Sequence, residues 1–194
     1  MNHAPLKTLL ILTSSLALGV ASAQMNHDMG SASMKALQTS SGKTFDINWM
    51  SQMIEHHRGA VTMARDALKN AKDKRVLGAA GSIVKNQNAE IKQLETWLQR
   101  WYRAKPDAKQ MALMRADMAE MMSHASGGMA GMSMGDADKN FLEAMIPHHQ
   151  SAVDMSKLAL TKAQKPELKV FAQKVIRDQT AEINQYQAWL KTLK

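Results

Sequence analysis

The residues with the greatest capacity for chemistry are two pairs of adjacent histidines, His56-His57 and His148-His149, set 92 positions apart. A methionine precedes each pair by three and four residues, Met53 in one case and Met145 in the other, and a second methionine follows, Met63 or Met155. Side chains three and four apart on a helix are neighbours. Met53 therefore reaches His56 or His57, and Met145 reaches His148 or His149. Met63 and Met155 lie seven residues past the first histidine, about 10.5 Å along a helix axis, and suit a second site or plain packing. A thioether beside a neutral imidazole is a ligand set for soft and borderline ions: Cu(I) first, with Ag(I) as its mimic, then Cu(II) at the imidazoles. One histidine on an apolar face is usually a satisfied core residue. Adjacent histidines diverge by 100° on a helix, so both cannot follow the centre of one stripe, and keeping both in two places favours ligation.

Other thioethers extend the pattern. The chain holds 17 methionines against 9 aromatic residues and no cysteine. Disulfides and thiolate ligands are thus excluded, and any soft ligand must be methionine. Met25, His27 and Met29 lie close together in a polar stretch, and Met129, Met132 and Met134 lie in a glycine-rich run. Neither segment offers a core to pack into, so both read as metal-capturing arms. Met111, Met114, Met118, Met121 and Met122 recur at helical spacing after Pro106, which predicts a helix over 107–124 whose stripe is core or a pliable groove. The net charge of +8 is scattered along helices without forming a stripe. It reads as solvated helix faces and not as a nucleic-acid surface.

The elements that position these groups are duplicated. Residues 46–98 align with 138–190 without a gap, identical at 20 of 53 positions, the mark of an internal repeat. Asp46 and Asp138 stand at the start of each unit as candidate N-caps. With Met53 at zero on a helical wheel, Ala60, Ala64, Ala67 and Ala71 fall within about 40° of it, and the histidines flank them. The pattern breaks at 70–74 and again at 162–166, where Pro166 suits a first helical turn. A second helix follows in each unit, with Gln87, Glu90, Ile91, Leu94, Trp97 and Leu98 on one face, matched by Gln179, Glu182, Ile183, Tyr186, Trp189 and Leu190. Each unit is an αα-hairpin with one apolar side, and two of them make a four-helix bundle. Counting from the turns sets Glu90 level with His56 and Glu182 level with His149. A carboxylate on an apolar face needs a partner, so both glutamates read as orienting an imidazole. Pro147 stands where the first copy has Glu55 and removes an amide donor. It predicts a helix kinked before His148 or one restarting at Pro147. The second copy, being the less regular, ranks as the stronger binding candidate.

Residues 1–23, with Lys7, an apolar run over 8–20 and Ala21-Ser22-Ala23, read as a signal peptide too short to span a bilayer. The expected product is exported, periplasmic or secreted, and not membrane-embedded. Residues 24–45 read as a flexible tail. Residues 46–194 read as one helical domain: a first hairpin (46–103), a Met-rich connector (104–137) and a second hairpin (138–194).

The run Met145-Ile146-Pro147-His148-His149-Gln150, followed by Ala152 and Met155, resembles the signature of secreted bacterial proteins catalogued as domain of unknown function family 305. The copy at Met53, His56, His57 and Met63 is weaker, with Glu55 and Gly59 in place of Pro147 and Ser151. The resemblance covers 46–190. It implies an all-α, ferritin-like fold and, as a property of some members such as periplasmic copper-binding proteins of the CopM type, copper binding. The leading expectation is a non-enzymatic protein that buffers or transfers copper, with other periplasmic copper proteins as possible partners. One alternative is a ferritin-like di-metal oxidase, which needs Glu-x-x-His pairs that this sequence lacks. Another is a Met-rich interaction module or oxidant sink.

Overall fold

The computed structural model describes residues 30–125 and 136–193. The signal-peptide reading, the arm residues Met25, His27 and Met29, and the loop residues Met129, Met132 and Met134 lie outside the described residues. Within them the fold is all-α, with six helices: α1 (Ala32–Thr39), α2 (Gly42–Asn70), α3 (Lys74–Tyr102), α4 (Ala108–Ala125), α5 (Ala137–Lys162) and α6 (Pro166–Leu190).

The helix ends follow local chemistry. Asp73 opens α3 by accepting the Arg75 N–H at 2.8 Å. Asp107 opens α4 by accepting the Gln110 N–H at 2.9 Å. Pro166 occupies the first turn of α6, where its missing N–H costs nothing. Arg103 closes α3 in the left-handed region (φ 54°), its N–H returned to the Gln99 carbonyl. The two breaks and the helix after Pro106 are therefore where the spacing predicts them.

The hairpins α2–α3 and α5–α6 dock through α2 and α5. The Trp49 indole donates to the Met155 carbonyl at 3.0 Å, and further along His56 Nε2 lies 3.0 Å from the His148 carbonyl. One partner's number rises by seven as the other's falls by seven, so the two helices run antiparallel. Ala60, Ala64 and Ala67 of α2 are buried, as are Ala152 and Ala159 of α5, and these small residues let the backbones approach. Two apolar clusters flank the docking point. One gathers Trp49, Met53, Leu94, Leu98, Met155 and Phe171, and the other Ala60, Ala64, Ile83, Leu142, Met145 and Tyr186. Complete burial of a large side chain contributes about 1.5–3 kcal/mol, so these clusters carry the fold. The four histidines lie between them.

Four expectations are corrected. Asp46 is not an N-cap, because α2 begins at Gly42. Its buried carboxylate instead accepts the backbone N–H groups of Gln164 (2.9 Å) and Lys165 (3.2 Å) and the Tyr102 hydroxyl. Asp138 lies inside α5, which Asp136 caps, and it accepts the N–H groups of Lys72 and Asp73. Residues 72 and 73 match 164 and 165 in the repeat, so each unit's aspartate caps the other unit's turn. Residues 32–39 and 42–45, expected to be part of a flexible tail, are helical. Ser31 caps α1, and Met34 and Leu37 are fully buried, an i, i+3 pair that tertiary packing makes helical in a polar stretch. Finally, α5 runs unbroken through Pro147, so the helix does not restart there. No helix among the described residues is long and apolar enough to cross a membrane.

Candidate metal centre

α2 and α5 bring all four histidines into one buried layer, each at most 1% exposed. The inner rings, His56 and His148, stack with centroids 3.8 Å apart at 42°. Within each pair the adjacent rings are 6.2 Å apart at 63°, the same in both copies. A pseudo-two-fold axis therefore passes through the stacked rings. The two pairs form a single buried layer and not the two separate sites that the repeat suggests, because α2 and α5 cross at the histidines themselves.

The outer rings face carboxylates. His57 Nε2 is 3.0 Å from Glu90 Oε2, and His149 Nε2 is 2.8 Å from Glu182 Oε2. The second pairing is as expected. In the first copy Glu90 meets His57 and not His56, since one residue along a helix turns the side chain by 100° and outweighs a 1.5 Å step in height. Glu90 also holds Lys174 Nζ of α6 at 2.7 Å. Burial pushes its carboxyl up, but the His57 ring and the Lys174 ammonium together hold it down at about 2. Both glutamates stand where a carboxylate orients an imidazole.

The inner rings are different. Burial drives both His56 and His148 well below the ordinary imidazole range, and the neighbouring histidines drive them further. Both are neutral at neutral pH, with lone pairs available. His56 Nδ1 has no hydrogen-bond partner among the described residues, and there the His148 ring meets nothing polar beyond the neighbouring imidazoles and the His56 backbone. A buried polar group left unpaired costs about 1–3 kcal/mol, so such a layer is poised for a ligand. Gln87 and Gln179, three residues before the glutamates, are also buried with Oε1 unpaired. Among the described residues no three His, Asp or Glu side chains converge as a metal-binding group.

Those methionines are placed unequally. Met53 and Met155 are buried in one apolar cluster, Met145 is buried in the other, and Met63 packs at that second cluster's edge. Sequence reasoning did not single out a further methionine beside the layer, Met118 of α4. It comes there because α4 docks along a stripe of α2. Ser51 Oγ accepts the Asp107 N–H at 2.8 Å, Gln52 Nε2 donates to Gln110 Oε1 at 2.8 Å, and Glu55 Oε1 binds Arg115 Nε at 2.7 Å. Asp117 of α4 then accepts the Ser33 N–H of α1 at 2.8 Å. The next position on this face is Gly59. A Cβ there would lie 3.1 Å from Met118 Sδ and 3.4 Å from His148 Nε2. The repeat has Glu143, Ala144, Pro147 and Ser151 at these positions, so the docking stripe belongs to the first copy. Glu55 and Gly59, which look like erosion of a motif, seat α4.

The family model described as Domain of unknown function (DUF305) matches residues 13–98 and again 68–190. An uncharacterized protein, L153, of Acanthamoeba polyphaga mimivirus is 42% identical over 48 residues, which cover 25% of this chain and 32% of that protein's length. Among solved structures, CopM in an Ag-bound form is 30% identical with a TM-score of 0.62, over 76% of this chain and 96% of CopM. CopM in its Cu(I)-bound form is 28% identical, with a TM-score of 0.60 and the same coverage. A DUF305 protein from Streptomyces coelicolor, described as secreted, has the same fold at 23% identity, with a TM-score of 0.62 over 76% of this chain and 92% of its own.

Proposed function

Since the chain belongs to the DUF305 family, whose solved members share its fold, we propose that it binds copper, Cu(I) before Cu(II), and buffers or transfers it outside the cytoplasm. The observation that carries this reading is His148. It is a buried, neutral imidazole with no side-chain hydrogen-bond partner, set between methionine-bearing clusters. Copper(I) favours imidazole and thioether donors and tolerates low coordination, whereas harder ions need several oxygens. Likeness to CopM, solved with Ag, Cu(I) and Cu(II), supports the same class of ion. Met25, His27 and Met29, with Met129, Met132 and Met134, act as capture arms that deliver the ion to the centre. His149 and His57, oriented by Glu182 and Glu90, complete the imidazole layer. The protein works as a binder and not as an oxidase, because a di-metal oxidase requires carboxylates that bridge two ions, and Glu90 and Glu182 each face their own imidazole.

The test is an anaerobic Cu(I) titration of the mature chain against a chromophoric chelator. The wild type is expected to compete with a Kd below about 1 μM, and the double variant His148→Ala/His149→Ala to lose at least tenfold. A wild type that cannot draw Cu(I) from a micromolar chelator refutes the proposal.

A further inference from the structure

Gly59 marks a tight hollow, narrower than a methyl group needs, between α2, α4 and α5. The position its Cβ would occupy is 3.1 Å from Met118 Sδ, 3.4 Å from the Met118 terminal methyl and 3.4 Å from His148 Nε2. The two donors are therefore at most about 6.5 Å apart, against about 4.3 Å for an ion bonded linearly to a sulfur at about 2.3 Å and an imidazole nitrogen at about 2.0 Å. Met118 can close the difference, since its side chain has three rotatable bonds and is only partly buried. His148, whose Nε2 lies across from it, is 1% exposed and has no side-chain hydrogen-bond partner. In the other copy the matching position is Ser151, and α4, which brings Met118, lies outside the repeat. The arrangement thus occurs once.

We propose that Met118 Sδ and His148 Nε2 form a two-donor site for a monovalent soft cation in this hollow, and that Gly59 is the residue that admits the ion. The proposal deepens the copper reading and rests on it, adding a ligand from outside the double-histidine repeat and a residue that controls access. A methyl group at residue 59 stands where the ion's path between the donors runs, while the flexible end of Met118 can move aside by the few tenths of an ångström that folding requires. Alanine is also the better helix former by about 1 kcal/mol, so Gly59→Ala separates loss of the site from loss of the fold.

The experiment is an Ag(I) titration of the full mature chain, with affinity read by competition and the Met118 methyl followed by NMR. Met118→Leu and Gly59→Ala are each expected to weaken the tightest Ag(I) binding by at least about tenfold. Gly59→Ala is expected to melt at or above the wild-type temperature, and Met111→Leu, two turns earlier on α4, to bind as the wild type does. In the wild type the Met118 methyl resonance shifts in step with the first equivalent of Ag(I). If the wild type binds Ag(I) but both variants bind as tightly, or the Met118 methyl stays still, this site is wrong and the copper reading survives. If the wild type does not bind Ag(I), both fall.

Discussion

Acidifying the metal-free protein from pH 7.5 to 5.5 is expected to remove about 2.8 kcal/mol of stability through His56 and His148 alone. Both titrate near 6.5 in the unfolded chain, and both are held well below that in the fold, first by burial and then by neighbouring rings. The unfolded chain therefore takes up protons that the native state refuses. Stability is fully present above pH 6.5 and is lost as the pH falls below it. One unit below 6.5 the loss is about RT ln 11 for each ring, about 1.4 kcal/mol, and there are two rings. Glu90 acts in the same direction, its carboxyl lowered from 4.5 to about 2, but its contribution is lost only below pH 4.5. The window from 7.5 to 5.5 thus isolates the imidazoles. The assay is urea unfolding at half-unit pH steps, with a chelator present and ionic strength constant, comparing extrapolated stabilities at a common slope. His148→Gln should remove about half of the pH dependence, and His56→Gln/His148→Gln most of it. A wild-type loss below about 0.5 kcal/mol, or a double variant that keeps the full pH dependence, would refute the argument from buried neutral rings.

Two further outcomes follow from the fold. Asp46→Ala leaves the Gln164 and Lys165 amides and the Tyr102 hydroxyl without their acceptor, and should cost about 3 kcal/mol. Asp138→Ala should cost only about 1 kcal/mol, since water can reach the exposed Lys72 amide; equal losses in urea unfolding would contradict the difference in burial. Arg115→Ala removes the closer of the two arginine partners of the nearly buried Glu55, leaving Arg58. Because Arg115 itself is largely exposed, the loss should stay near 1 kcal/mol. Amide exchange should quicken in α4 while α3 and α6 remain protected, and uniform quickening would count against α4 as a separately docked element.

The long helices, their breaks and the helix after Pro106 were legible because each has an unmistakable period or a proline at its start. The alanine face of α2 was legible for the same reason, since Ala60, Ala64 and Ala67 repeat at helical spacing and are buried. Periodicity shows a face but not what the face meets. It could not show that α2 and α5 dock at the histidines and merge the two pairs into one layer. Helix α1 was hidden because its polar composition acquires structure only through Ser31, the buried Met34 and Leu37, and the Asp117 contact from a helix 84 residues away. The pairing of Glu90 with His57 was missed because height along an axis is insensitive to a one-residue shift that turns a side chain by 100°. The role of Gly59 and Glu55, which in the sequence only weaken the first copy of the motif, was hidden because Met118 and Arg115 lie on an element whose docking the repeat does not encode.

The exchanged aspartate caps bear on the time the molecule spends folded. Contacts inside a hairpin join nearby stretches of chain and can form early, whereas Asp46 bonds an amide 119 residues away. Bonds of that span close only after both hairpins have docked. Interactions that form after the rate-limiting step leave the folding rate almost unchanged and slow unfolding instead. The two aspartates therefore work as latches. They do little to assemble the histidine layer and much to keep it shut, which suits a centre whose unpaired nitrogens would be exposed to solvent each time the hairpins parted.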